Sequence, residues 1–226
     1  MPGKLIVIDG VDSSGKETQT KLLREYLSSR GYEVESVSFP NYDRPYCSAV
    51  KMYLAGDFGT HPQDVNPYAA STFYAVDRFA SYKENWGKLL AGGTHVLADR
   101  YTTSNAIHQG SKLKGAARKE FFDWLYDFEY GKMGLPKPHL VIFLDMPPKM
   151  AIQLMKERRN KATGGQEKDI HERDAQYLYD CYDGAIEACS HYGWKRVCSL
   201  DEQGNLRTIE QIHEEICRLA DQALQE

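Results

Sequence analysis

Leu5-Ile6-Val7-Ile8-Asp9-Gly10-Val11-Asp12-Ser13-Ser14-Gly15-Lys16 opens the 226-residue chain and carries most of its architectural information. Leu5 to Ile8 is an unbroken apolar run with no alternation, as expected of a strand buried on both faces of a parallel sheet. Gly10 to Lys16 then matches the opening positions of the phosphate-binding loop pattern, placed between a predicted strand and a predicted helix as that pattern requires. Gly10 and Gly15 permit backbone angles that turn successive N–H groups inward into an anion nest. The following helix adds its positive N-terminal end, and Lys16 supplies a point charge. The bland alternative is a plain strand-to-helix turn that happens to hold two glycines and a lysine. Glu17 stands where the pattern usually has the Ser or Thr that binds Mg²⁺. A carboxylate is repelled by polyphosphate, so Glu17 is expected to point away or to reach the metal through water, with the Thr18 hydroxyl offered instead.

Outward from the loop, Leu22, Leu23, Tyr26 and Leu27 recur at helical spacing and Gly31 closes that helix. Val34 to Phe39 reads as the next strand, which completes a βαβ unit. Pro67 to Leu90 is a long helical pattern stopped by Gly92-Gly93, and His95 to Ala98 is a short strand. Phe121 to Phe128 is helical, Leu140 to Leu144 is a second wholly apolar strand, and Pro147-Pro148 starts another helix. Asn160 to Asp169 is a polar loop, Ala175 to Cys189 a helix, Lys195 to Leu200 a strand, and Ile209 to Ala223 a closing amphipathic helix. Strands alternate with helices throughout. The expected fold class is α/β: a doubly wound parallel sheet with helices on both faces, in one domain spanning 1–226, with ligands beyond the carboxyl ends of the strands.

Bulk properties narrow the partners. A formal net charge of -4 does not suit a protein that coats nucleic acid, although a local basic cluster can still hold one nucleotide. The five cysteines are scattered with no CxxC pair, which suggests free thiols in a reducing cytoplasm rather than a disulfide framework or zinc site. No stretch approaches the roughly 20 apolar residues of a membrane helix. Leu5–Ile8 is also far shorter than a signal-peptide core, so a cytoplasmic protein with no membrane partner is expected.

Further segments carry chemistry. Tyr74 and Arg78 are four apart on one predicted helix and share a face. They could form a surface cation–π pair, or stack a base and donate to its exocyclic oxygen. Asp99-Arg100 follows a strand at its carboxyl end, where Arg100 could clamp a phosphate or pair with a neighbouring carboxylate. Arg158, Arg159 and Lys161 flank the polar loop and could be no more than a solvated basic face. Together with the loop, Phe39-Pro40-Asn41-Tyr42, Tyr74-Ala75-Val76-Asp77-Arg78, Asp99-Arg100-Tyr101-Thr102-Thr103-Ser104-Asn105 and Asp169-Ile170-His171-Glu172-Arg173 resemble the thymidylate kinase family in order and spacing. The resemblance runs from Lys4 to about Asp174 and includes Leu144-Asp145-Met146-Pro147-Pro148.

That resemblance implies a P-loop nucleotide kinase with a short lid at about 158–169, which moves the γ-phosphoryl group of ATP to dTMP with Mg²⁺. Gly10, Val11, Asp12, Ser13, Ser14, Gly15, Lys16, Glu17 and Thr18 would then bind ATP. Tyr74 would stack thymine, Arg78 would donate to its O4 and Asn105 would bond N3–H, with Phe39 and Tyr42 lining the acceptor side. Arg100 would hold the acceptor phosphate, and Asp12 would meet the deoxyribose 3′-OH. His108 would either crowd the 2′ position or serve the structure. Lys16, Arg100, Asp12 and a lid arginine, taken as Arg159, would carry catalysis; Asp99, Thr18 and Glu172 would serve the metal, Glu172 near the sugar as well. A homodimer is the family's implication. Kinases of the same fold acting on another monophosphate or on a deoxynucleoside, and a P-loop binding protein without turnover, remain the competing readings.

Overall fold

The computed structural model describes residues 2–161 and 175–225. Its single sheet has five strands in the order β2-β3-β1-β4-β5, and every pairing is parallel. The strands are β1 (Leu5–Gly10), β2 (Val34–Ser38), β3 (His95–Asp99), β4 (Leu140–Asp145) and β5 (Lys195–Cys198). Five strands fall where the hydrophobic runs place them. The last is shorter than expected, because Leu200 leaves the parallel ladder and bridges antiparallel to Leu206.

Residue alternation on β1 assigns the two cores. Ile6 and Ile8 face α1 (Lys16–Ser29) and α9 (Ile209–Gln225), packing with Leu23, Leu27, Ile212 and Ile216. Leu5 and Val7 face the opposite layer, where Trp86, Leu90 and Tyr101 fill the space. Each fully buried aliphatic side chain contributes about 1.5–3 kcal/mol relative to exposure, so this central strand fixes the sheet.

Between β2 and β3 the chain forms α2 (Ser48–Ala55), α3 (Pro67–Ser81) and α4 (Gly87–Gly92). The Asn66 side chain caps α3 by accepting the Ala69 N–H at 2.9 Å, and Pro67 pre-sets the first turn. A single helix is expected here from sequence. Instead a π turn over Tyr82–Trp86 joins α3 to α4. Gly87 makes it possible: a Cβ there would sit 2.6 Å from the Tyr82 carbonyl oxygen. The inserted residue swings Trp86 wholly inside, against Tyr82 and Tyr101.

Downstream lie α5 (Thr102–His108) and α6 (Ala116–Tyr126), the latter running on into a second π turn over Asp127–Lys132. They are followed by α7 (Pro148–Lys161) and α8 (Ala175–Tyr192). Because β1 sits between β3 and β4, the strand order reverses at its carboxyl end, and the crevice opens there. Among the described residues no helix is long and apolar enough to cross a membrane.

Candidate active site

The loop from Gly10 to Lys16 leaves β1 at that crevice and enters α1. Ser13 (φ 62°) and Gly15 (φ 92°) adopt left-handed backbone angles, the alternation that curls N–H groups into a nest. At Gly10 a side chain is excluded, since its Cβ would lie 2.5 Å from Ser14 Oγ and 2.9 Å from the Leu144 carbonyl oxygen. Lys16 is buried and donates to the Gly10 and Val11 carbonyls at 3.0 and 2.8 Å, so its ammonium lies across the loop. Burial, aided by Arg100, pulls its pKa down to about 8 against the attraction of Asp12, Asp9 and Asp99. Glu17 and Thr18 are both exposed on the first turn of α1.

Arg100 comes off the end of β3 with φ 67°, a conformation that costs a non-glycine residue strain. It aims the guanidinium back across the loop mouth, where Nη2 donates to Asp12. Nη1 reaches Ser104 Oγ at 3.5 Å and His108 Nε2 at 3.1 Å. His108 thus accepts through Nε2, which places its proton on Nδ1 toward Tyr177 Oη (3.4 Å) and Cys181 Sγ (3.6 Å). Burial alone would raise the Asp12 carboxyl, but the Arg100 and Lys16 charges hold it well below the usual carboxylate range. Asp12 is therefore an anion already gripped by the arginine expected to grip phosphate.

Beneath these residues opens a cavity. Asp12, Phe39, Tyr42, Tyr74, Arg78, Arg100, Asn105 and His108 all line it, so the residues expected on the acceptor side converge on one space. The Phe39–Pro40 peptide at its mouth is cis. Tyr74 meets Tyr53 of α2 edge-on, with centroids 6.3 Å apart at 89°, so its ring is held at the cavity wall.

Arg78 is buried rather than surface-exposed, and its guanidinium is engaged by a carboxylate. It is 1% exposed and forms a bidentate pair with Glu129, Nε to Oε2 at 2.7 Å and Nη2 to Oε1 at 2.5 Å. Glu129 also accepts from Thr102 Oγ1 at 2.8 Å and Asn105 Nδ2 at 3.1 Å. Asn105 Nδ2 donates in addition to the Ser71 carbonyl at 3.2 Å. With its NH₂ so occupied, Asn105 has only its carbonyl to offer the cavity: an acceptor for a ring N–H.

Two further residues belong to this site and were not anticipated. Glu129 reads in sequence as an ordinary charged helix residue; only the π turn brings it inside. Gln109 lines the cavity one turn beyond Asn105, is 1% exposed, and neither its Nε2 nor its Oε1 has a hydrogen-bond partner among the described residues. A buried unpaired amide is costly, which favours an occupant that hydrogen-bonds to it. The Gln109 position follows His108 directly, and its amide was the available signal.

Asp99 lies at the end of β3 beside Lys16, and its Oδ1 is buried without a hydrogen-bond partner among the described residues. Burial raises its pKa while Lys16 and Arg100 pull it back. A carboxylate oxygen left open beside a phosphate nest fits an outer-sphere role toward Mg²⁺. Among the described residues no cluster of three His, Cys, Asp or Glu could hold a metal alone, so nucleotide oxygens and water would complete its shell. The side chains of Arg158, Arg159 and Lys161, and all of Asp169 and Glu172, lie outside the described residues.

A family model described as thymidylate kinase matches residues 8–216. A thymidylate kinase of Mycobacterium tuberculosis is 31% identical over 173 residues, covering 76% of this chain and 79% of its own length. The thymidylate kinase of Homo sapiens is 29% identical over 98% of this chain and 92% of its own. A solved thymidylate kinase structure from Candida albicans shares the fold, with a TM-score of 0.70 at 21% identity over 98% of this chain and 92% of that one. A match that begins inside β1, passes through the loop and the cavity-lining segments and ends in α9 leaves one conclusion: the chain belongs to the thymidylate kinase family.

Proposed function

We propose that this ATP-dependent dTMP kinase works by positioning and charge neutralisation, with the loop as donor cradle and the lined cavity as acceptor site. Asn105 is the observation that carries the acceptor reading: its fixed amide presents an acceptor only, beside the buried cation Arg78. Thymine offers the complement, N3–H beside O4. Gln109, one turn past Asn105 at the end of α5, would meet the remaining polar edge of the ring, and Tyr74 its face.

The Gly10–Gly15 amides and Lys16 would hold the β- and γ-phosphates of ATP. Arg100 would turn from Asp12 to the dTMP phosphate, freeing Asp12 to accept the 3′-OH, and His108 would buttress Arg100 while crowding the 2′ position. An oxygen of the dTMP phosphate forms the new bond to the γ-phosphorus as the bond to the β–γ bridging oxygen breaks, releasing ADP. Such transfers need little beyond alignment and electrostatic stabilisation. Mg²⁺ supplies charge neutralisation on the triphosphate when bound; Asp99 through a metal-bound water and the Thr18 hydroxyl would hold it, with Glu172 as a further ligand. Arg159 would cover the transferring group from the lid. We place the enzyme in the cytoplasm, where free thiols persist. We further propose a homodimer through the outer face of the α3–α4 helix, where Tyr68, Val76 and Leu89 are exposed.

A coupled ADP-release assay with dTMP, dUMP, UMP, CMP, AMP and thymidine tests this reading. dTMP should be fastest and thymidine, which lacks the phosphate for Arg100, inert. Equal rates with dTMP and AMP would overturn the roles given to Arg78 and Asn105.

A further inference from the structure

Helix α5 has a cavity on each side. Ser104, Asn105 and His108 face the acceptor cavity, while Thr102, Thr103 and Ala106 floor a second one between α6, α8 and the starts of β4 and β5. Phosphoryl transfer uses nothing in this second space. Its walls are aromatic: Tyr126 and Tyr192 stack at 6.2 Å and 17°, and Tyr192 and Trp194 at 5.4 Å and 17°. Basic groups surround the opening. The Lys137 ammonium is held 4.4 Å from the Tyr126 ring centroid, and Lys195 also lines the cavity. His139 accepts the Leu5 N–H through Nδ1 at 3.0 Å, so its Nε2 carries a proton and can donate. No Asp or Glu is among the described lining residues.

We propose that this cavity is a second ligand site, for a flat aromatic anion, and that its occupancy is felt in the base pocket across α5. The aromatic lining gives a planar guest apolar ring surface to pack against. Two ammonium groups with no carboxylate among them favour negative charge. The route to the base pocket is short. Thr102 lines the second cavity while its hydroxyl donates to Glu129 at 2.8 Å, and Glu129 grips both Arg78 and Asn105. Thr103 likewise donates to Asp9, the buried carboxylate beneath the loop, at 2.5 Å. A guest seated on Thr102 therefore shifts the hydrogen-bond network that orients the base-reading groups. Linkage then requires the bound base to change the guest's affinity by the same factor.

The probe is anilinonaphthalene sulfonate, whose fluorescence rises on entering an apolar site. It is titrated into protein already saturated with dTMP and a non-hydrolysable ATP analogue, so that the active site is filled. Saturable binding is expected there, weakened at least about tenfold in the doubly charge-reversed K137E/K195E variant. Both lysines are exposed, and unchanged ADP release by the variant without dye confirms that it folds. In wild-type protein, saturating dye should change the dTMP KM by about fivefold or more, and in the variant it should not. Loss of all dye binding once the active site is filled, or equal dye affinity in the variant, overturns the site. Dye binding that leaves the dTMP KM unchanged overturns the coupling. The difference in dye affinity between bare wild-type and bare K137E/K195E protein isolates the second cavity whichever acceptor the enzyme prefers, so its failure is separable from failure of the dTMP assignment.

Discussion

Replacing Glu129 by Gln keeps the shape of the side chain and removes its charge, which isolates what the buried carboxylate does. The Arg78 and Glu129 side chains are 2% and 0% exposed, so solvent screens neither. Within that pair, burial pulls the Arg78 pKa down and the attraction of Glu129 more than reverses it, for a net rise. Glutamine would leave the guanidinium as a buried uncompensated cation, a change that costs about 3–5 kcal/mol. The hydrogen-bond inventory agrees. Glu129 accepts from Arg78 Nε, Arg78 Nη2, Thr102 Oγ1 and Asn105 Nδ2. Glutamine brings a single acceptor oxygen and turns an NH₂ toward the remaining donors. Such a loss is a large part of the ~5–15 kcal/mol that holds a domain folded. With a urea dependence of about 2 kcal/mol/M, the midpoint should fall by about 1.5–2.5 M, read by tryptophan fluorescence. Enzyme that remains folded without denaturant should show a raised dTMP KM and an unchanged ATP KM. A midpoint within about 0.3 M of wild type would refute the view that this pair organises the base pocket.

Arg100→Ala should lower kcat/KM for dTMP at least about 100-fold; retained dTMP turnover in a coupled ADP assay would point to an acceptor that needs no phosphate clamp. Lys16 gives two pH signatures of opposite sign. With its folded pKa at about 8, the free enzyme loses the Lys16 charge above that pH, and kcat/KM for ATP should decline there. Between about pH 8 and the unfolded value near 10.4, the unfolded chain holds more protons, so urea stability should gain from this group as pH rises; Lys16→Met should abolish both trends. Gly10→Ala forces a Cβ against Ser14 Oγ and the Leu144 carbonyl. It should cost about 1–3 kcal/mol in urea unfolding and weaken ATP binding by titration calorimetry.

Hydrophobic pattern located the sheet because its central strands have nothing but apolar side chains to show: Leu5–Ile8 and Leu140–Leu144 admit no other reading. The loop was legible for a local reason, since an anion nest is built from consecutive residues. Two helices went unread. Buried α5 carries Thr102, Thr103, Ser104 and Asn105, polar residues whose partners lie far along the chain and which erase the apolar period. Helix α2 is eight residues long, too short for a periodic signal to rise above its loop. The base pocket was half legible. Tyr74, Arg78 and Asn105 were found through the family resemblance, whereas Glu129 depends on a π turn more than fifty residues from Arg78 in sequence. Register shifts of that kind are set by packing, here of Tyr130 and Leu135 against the sheet. Arg78 also shows the limit of local reasoning: its spacing from Tyr74 allowed a surface pair, and only the tertiary fold buries it.

Comparing kcat/KM for dTMP and dCMP in the wild-type enzyme tests the base-reading claim most directly. dCMP turns a lone pair at N3 toward the Asn105 carbonyl and an amino group toward Arg78, so both contacts become repulsive. Sites built to pair a polar edge reject such analogues by about 10⁴-fold, and that is the preference expected for dTMP. Ratios within about tenfold would mean that the Asn105 carbonyl and Arg78 do not read the base.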